Sequence, residues 1–246
     1  MYLRRFNFRI PLIGAEFEHS LEQFREQSLA QQSKDGGIGG LSAELFQRHE
    51  RLHLTCGALK LFDEDIVTAK ECLMQCRDRI TELCGSALPA TIVVKGVQYM
   101  GDDVTEPTQM DVLYAKADFE GGGGGGGLQA VVDYVASQFV AAGLLEQSDS
   151  EHVKIHATLI NSKWRRGAGG GAGGSAGGGG RAPPGFGGRR ERTPFDGSKV
   201  LTKFAKFNFG ASPFTSVHLS RMKPRAVSHA AAPDGYYEPE HILTLL

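Results

Sequence analysis

Short segments of alternating apolar and polar residues, separated by stretches with a three-to-four-residue apolar repeat, run through most of this chain. Residues 3–12 predict a strand, with Phe6, Phe8 and Ile10 on one face and Asn7 and Arg9 on the other. Residues 20–32 predict a helix capped at Ser20, with Leu21, Phe24 and Leu29 as a sparse apolar stripe. A strand is predicted over 51–61. Residues 63–84 read as one long helix: Asp63 suits its cap, Glu64 and Asp65 its first turn, and Ile66, Leu73, Ile80 and Leu83 recur on one side. Further strands are predicted over 90–100, 110–119, 152–160 and 215–222, and helices over 128–142 and 197–206. The order is roughly βαβαββαβαβ, without the glycine-rich strand-to-helix turn of a dinucleotide-binding fold. Antiparallel sheets backed by helices follow as the expected architecture, an α/β fold of the α+β kind.

Composition changes this picture in two places. Of the 33 glycines, seven fill positions 121–127, and a second tract rich in Gly, Ala and Arg runs over 167–192. Neither buries enough apolar surface to offset its ordering entropy, so both are expected to be flexible loops inside a single domain over 1–246. The arginines in and beside the second tract (Arg165, Arg166, Arg181, Arg189, Arg190 and Arg192) can follow a phosphate backbone, or they reflect drift in a tolerant surface loop. With 27 basic and 28 acidic residues the chain lacks an overall basic coat, so any anion site must be local. Four cysteines, three of them inside one predicted helix, do not make a disulfide framework, and reduced thiols are expected. No apolar run at the start resembles a secretory signal, and the apolar stretch over 128–145 is broken by Gln129, Asp133 and Gln138. The expectation is a soluble protein of the nucleus or cytoplasm, not of the membrane.

Two strands carry the chemistry. One contains Arg51-Leu52-His53-Leu54-Thr55-Cys56, the other Lys154-Ile155-His156-Ala157-Thr158-Leu159. Alternate side chains of a strand share a face, so Arg51, His53 and Thr55 are expected to project together, as are Lys154, His156 and Thr158. With this content of His and Thr, a His-x-Thr arises by chance on the order of 0.4 times, and apolar flanks make it rarer still. A matched pair points to a duplicated lobe. Two imidazoles with two hydroxyls suit phosphodiester chemistry: one neutral ring takes a proton from the attacking oxygen, and one protonated ring gives a proton to the leaving oxygen. Thr55 and Thr158 can hold the non-bridging oxygens. Neither a metal nor a cofactor is needed for this. Cys72 and Cys76 lie one turn apart without the spacing of a metal site, and read as buried thiols.

These paired strands resemble the two-histidine (2H), LigT-like phosphoesterase superfamily. More closely, the chain is similar to the phosphoesterase domain shared by A-kinase anchoring protein 7 and activating signal cointegrator 1 complex subunit 1. The resemblance rests on Leu52-His53-Leu54-Thr55, Gly96-Val97-Gln98-Tyr99-Met100, Met110-Asp111-Val112-Leu113-Tyr114-Ala115-Lys116 and Val153-Lys154-Ile155-His156-Ala157-Thr158. Phe195-Asp196-Gly197, Phe207-Asn208-Phe209-Gly210 and Ser216-Val217-His218-Leu219-Ser220 extend it over nearly the whole chain. It implies a bilobed fold, with a pseudo-two-fold pair of antiparallel sheets facing a central cleft. It also implies a catalytic set of His53, Thr55, His156 and Thr158; beside them, Arg51 and Lys154 read either as substrate-binding cations or as ordinary strand-end charges. The implied activity is that of a metal-independent phosphodiesterase on 2′,5′-linked or 2′,3′-cyclic phosphodiesters of RNA or oligonucleotides. The alternative is a non-catalytic nucleotide- or RNA-binding subunit of a transcription-coactivator or DNA-repair complex. The implied partners are RNA or nucleotide phosphate and a helicase-containing coactivator complex.

Several other residues carry weaker signals. His218-Leu219-Ser220 mimics the motif and reads as structural. His152 sits four residues from His156, near the rim of the expected cleft. Tyr99, Tyr114 and Phe46 suit core packing or base stacking, and Asp102-Asp103 a solvated turn.

Overall fold

The computed structural model describes residues 3–34, 40–85, 89–101, 106–122, 126–147, 153–165, 193–222 and 237–245. Among them, eight strands pair antiparallel: β1 (Arg4–Pro11), β2 (His53–Leu61), β3 (Thr91–Tyr99), β4 (Val112–Phe119), β5 (His156–Asn161), β6 (Asn208–Pro213), β7 (Ser216–Arg221) and β8 (Pro239–Thr244). Their order across the sheet is β6-β3-β4-β5-β2-β1-β7-β8. The two expected half-sheets therefore meet edge to edge. One is β5-β4-β3-β6 and the other β2-β1-β7-β8, and each begins at the join with a motif strand. The β2–β5 pairing that unites them has two register pairs, Leu54 with Ala157 and Thr55 with His156.

Helices α1 (Ala15–Lys34), α2 (Asp65–Gln75), α3 (Arg77–Cys84), α4 (Gly127–Ala141) and α5 (Ser198–Phe204) cover the sheet. Helices α2, α3 and α4 pack on one another, with α4 also on β2 and β4, while α1 packs on β6 and α5 on β3. Aromatic rings fill both contacts. Phe8 stacks on Phe139 of α4 at 5.4 Å between centroids. Phe24 of α1 meets Phe204 edge-on at 4.7 Å and Phe209 at 5.4 Å. Burying each such ring stabilises the fold by roughly 1.5–3 kcal/mol.

The structure departs from the sequence expectations in particular places. Helix α1 begins at Ala15, with Glu16 and Glu18 in its first turn, so Ser20 is not its cap. The Ser20 hydroxyl instead donates to the Phe209 carbonyl at 2.5 Å and ties α1 to β6. The long helix over 63–84 is two helices meeting at Cys76, where the backbone N–H turns to the Leu73 and Met74 carbonyls. The Cys76 thiol donates to the Cys72 carbonyl there at 3.2 Å. Strands β6 and β8 have no counterpart among the expected elements. Cys56, Cys72, Cys76 and Cys84 are all free and buried. Within the glycine run, Gly127 opens α4 and Gly121–Gly122 belong to a short turn after β4. Residues 123–125 and the tract over 167–192 lie outside the described residues, as do His152 and Asp102-Asp103. No described helix is long and apolar enough to cross a membrane.

Candidate active site

Strand register brings the two motifs together. Directly opposed residues of an antiparallel pair project to the same face, with Cβ atoms about 5 Å apart. Thr55 on β2 is the register partner of His156 on β5. Strand alternation returns His53 and Thr158 to that same face, just beyond the last β2–β5 pair. The His156 imidazole thus faces the Thr55 hydroxyl, and the two histidines are diagonal neighbours, at about 7–8 Å between Cβ atoms. Leu54, Cys56, Ala157 and Leu159 point away into the core.

The rows extend beyond the motif strands. Arg9 of β1 is opposite Thr55, and His218 of β7 is opposite Arg9. On the other side Tyr114 of β4 is opposite Thr158, and Gln98 of β3 is opposite Tyr114. Both motifs are also followed at once by a β-bulge. Phe8 pairs with Gly57 and Arg9 with Thr55, so Cys56 is the extra residue. Leu113 pairs with Ile160 and Tyr114 with Thr158, so Leu159 is its counterpart. A bulge bends its strand and sharpens the local twist, which here sets the direction in which each His-x-Thr faces.

The histidines share one anchoring device. His53 Nδ1 donates to the Arg51 carbonyl at 2.7 Å, and His156 Nδ1 donates to the Lys154 carbonyl at 2.7 Å. A carbonyl only accepts, so Nδ1 carries the hydrogen and the neutral ring keeps its lone pair at Nε2. Arg51 and Lys154 therefore contribute through their main chains, and neither extends a strand. Arg51 ends a short turn ahead of β2, and Lys154 precedes β5. Their side chains are exposed, and the Lys154 ammonium lies 5.4 Å from the centre of the Tyr114 ring.

Electrostatics keep the rings neutral. Burial pushes His53 down to about 4, the hydrogen bond to Arg51 opposes this, and the charges of Arg9 and His156 lower it further. Burial and the neighbouring Lys154 charge also lower His156. His218 falls to about 4 through burial and the Arg9 charge, and its Nε2 is 3.0 Å from the Ser216 hydroxyl. Both motif-histidine shifts favour the neutral imidazole.

A cavity of about 1080 Å³ opens beside His53, lined also by Arg51, Phe46, Trp164 and Tyr237. A smaller one of about 250 Å³ is lined by Gln98, Tyr114, Lys116 and Lys154. Tyr114 is 1% exposed and packs edge-on against His156 at 5.8 Å, so it belongs to the site's wall rather than to a base platform. Phe46 is buried against Phe24, and Tyr99 packs on the core. Arg9 and Tyr237 were not singled out as site residues from sequence. The signal for Arg9 was a guanidinium placed mid-strand between Phe8 and Ile10. Tyr237 carries no local signal. Among the described residues, no group of three or more His, Cys, Asp or Glu is placed to hold a metal ion.

A β-sheet bearing two His-x-Thr strands side by side is the arrangement expected of a two-histidine phosphoesterase, and comparison with known proteins assigns the family. The sequence model of the AKAP7 2'5' RNA ligase-like domain matches residues 6–245, and the chain belongs to that family. Activating signal cointegrator 1 complex subunit 1 of Mus musculus is 32% identical over 207 residues, which cover 84% of this chain and 54% of the mouse protein. The chain thus spans about half the length of that curated relative. Among solved structures, E. coli LigT complexed with 3'-AMP aligns over 99% of both chains with a TM-score of 0.47 and 15% identity. A structure described as a phosphoesterase aligns over 99% of both chains with a TM-score of 0.43 and 16% identity.

Proposed function

We propose that this protein is a metal-independent phosphodiesterase that cleaves 2′,5′-linked or 2′,3′-cyclic phosphodiesters of RNA or oligonucleotides. The observation that carries the reading is the Thr55–His156 register, which sets two imidazoles and two hydroxyls on one face of adjacent strands. Membership of the AKAP7 2'5' RNA ligase-like family supports the phosphoester class of substrate.

In this mechanism Thr55 and Thr158 hold the non-bridging oxygens of one phosphate, between His53 and His156. One neutral imidazole accepts a proton at Nε2 from the attacking water or ribose hydroxyl as the new P–O bond forms. The other imidazole, protonated as the phosphate anion binds, donates its Nε2 proton to the leaving oxygen as the old P–O bond breaks. Each transfer is worth a factor of about 10² to 10⁴. The Nδ1–carbonyl bonds hold both rings in the tautomer this requires. Arg51, which lines the larger cavity, and Lys154, which lines the smaller, attract the substrate's flanking phosphates through their exposed side chains.

The test is turnover of 2′,5′-oligoadenylate, 2′,3′-cyclic nucleotides and short RNA in the presence of EDTA. Wild-type protein is expected to cleave at least one of them, and His53→Ala or His156→Ala to abolish cleavage while the circular dichroism spectrum is unchanged. Undiminished turnover in both variants rejects the mechanism. Nucleotide binding without any product selects the binding-module alternative. The identity to a coactivator-complex subunit supports a place in such a complex, and co-purification that survives a His53/His156 double substitution would separate that role from the chemistry.

A further inference from the structure

Each motif histidine is held by a second device besides its carbonyl bond. Tyr237 meets the His53 ring at 5.7 Å with planes 82° apart, and Tyr114 meets the His156 ring at 5.8 Å with planes 69° apart. Each tyrosine is in turn covered by a cation, Arg9 at 4.9 Å from the Tyr237 centroid and Lys154 at 5.4 Å from that of Tyr114. The repetition across the join of the half-sheets, built from unrelated positions, marks the contact as part of the site's design.

The His53 side is built more firmly. Arg9 is wholly buried. Its Nε–H donates to the Ser220 hydroxyl at 3.0 Å, and one Nη–H donates to the Tyr237 carbonyl at 2.7 Å. A single guanidinium thus grips Tyr237 by its main chain and by its ring face. It does so from the strand position directly opposite Thr55. Burying this charge costs solvation that its hydrogen bonds and the Tyr237 ring offset, whereas an apolar side chain of equal volume would pack the same space without desolvation.

We propose that Arg9 and Tyr237 are positioning residues: Arg9 fixes Tyr237, and the Tyr237 ring fixes the plane of the His53 imidazole so that Nε2 points at the phosphate. The inference rests on the proposed phosphodiesterase mechanism for its catalytic consequence, but the ring geometry has its own readout. An aromatic edge contact of this kind is enough to select one ring orientation and too little to account for the whole fold. The groups facing His53 are Arg9 from β1, His156 from β5, Tyr237 ahead of β8 and Arg51 from the short turn ahead of β2. Removing the Arg9 charge therefore also relaxes His53 toward ordinary basicity.

The experiment compares Tyr237→Leu, Tyr237→Phe and Arg9→Met with wild type, using 2′,3′-cyclic AMP and 2′,5′-linked triadenylate as probes. Tautomer and titration of His53 are read by ¹H–¹⁵N NMR of the imidazoles. Tyr237→Leu is expected to lower kcat roughly tenfold with KM within twofold, and to shift and broaden the His53 imidazole resonances as the ring plane loosens, with Nδ1 still protonated. Tyr237→Phe, which keeps the ring, regains most of that loss. Arg9→Met shifts the His53 titration and the acid limb of kcat/KM to higher pH. If Arg9→Met does not fold, the half-buried Tyr237 still decides the matter. Unchanged kcat and an unchanged His53 spectrum in Tyr237→Leu overturn the proposal, as does a loss confined to KM. Failure of the underlying mechanism looks different: no turnover by any form, or turnover indifferent to His53→Ala, whatever the imidazole spectra show.

Discussion

Thr55 and His156, far apart in sequence, are direct cross-strand partners at the centre of the eight-stranded sheet. Two His-x-Thr strands side by side, with all four side chains on one face, predict that the two threonines are equivalent in function. Thr55→Val and Thr158→Val are each expected to lower kcat by about 10²-fold, in the range found for loss of one preorganised donor to a developing charge. Steady-state kinetics with circular dichroism as a control check this. A large loss for one variant and none for the other would break the symmetry on which the mechanism depends.

Both motif histidines are held below their ordinary value, and the negative charge of a bound phosphate favours the imidazolium and so raises them. Proton uptake on binding follows, and affinity for AMP is expected to increase as the pH falls from 7 toward 5. Calorimetry in buffers of different ionisation enthalpy measures the protons directly. Zero uptake over this range would contradict a shared phosphate site.

The same shifts make the fold acid-sensitive. His53 and His218, held near 4 against an ordinary value of 6.5, are neutral in the folded protein while the unfolded chain protonates. Their contribution to stability is fully present above pH 6.5. It is lost progressively as the pH falls to about 4, on the order of 3 kcal/mol for the well-buried His53. Urea titrations between pH 7.5 and 4.5 should show this slope, reduced in His53→Gln and in His218→Gln.

Gly57 allows the Phe8 ring to lie flat against β2. A Cβ there would stand 2.1 Å from Phe8 Cε1, and Phe8 is itself stacked on Phe139. Gly57→Ala is therefore expected to destabilise the protein by about 1–3 kcal/mol, read as a lower denaturant midpoint.

Glu240 holds the last strand in place. It accepts from Arg221 at 2.6 Å and Lys70 at 3.0 Å, and both Glu240 and Arg221 are almost fully buried. Glu240→Ala leaves the Arg221 guanidinium without its carboxylate. It should cost about 3–5 kcal/mol, more than the Arg4–Asp63 surface pair would on loss of Asp63. Thermal unfolding of the two variants compares them directly.

The motif strands were legible because a strand's two-residue period is local: His53 with Thr55 and His156 with Thr158 needed no knowledge of the rest of the chain. Their convergence was expected from the pairing of motifs, and the register supplies its physical form. The parts that escaped sequence reading depend on distant neighbours. Ser20 looks like a cap in isolation, yet it serves the Phe209 carbonyl. Arg51 and Lys154 look like members of the polar rows, but their carbonyls do the anchoring. Tyr237 acquires a role through a hydrogen bond to Arg9, which lies at the other end of the sequence. Strand β8, read as Pro-Glu-His-Ile-Leu-Thr, shows little alternation, and its pairing with β7 and the Glu240 ion pairs hold it in the sheet.

The short β2–β5 join has a mechanical corollary. The two four-stranded halves are stitched together at the very residues that would grip a phosphate, so an anion held by both hydroxyls acts as an extra rivet across the weakest main-chain seam of the sheet. Occupancy should slow amide exchange first at Leu54 and Ala157, long before it is felt at the outer edges β6 and β8.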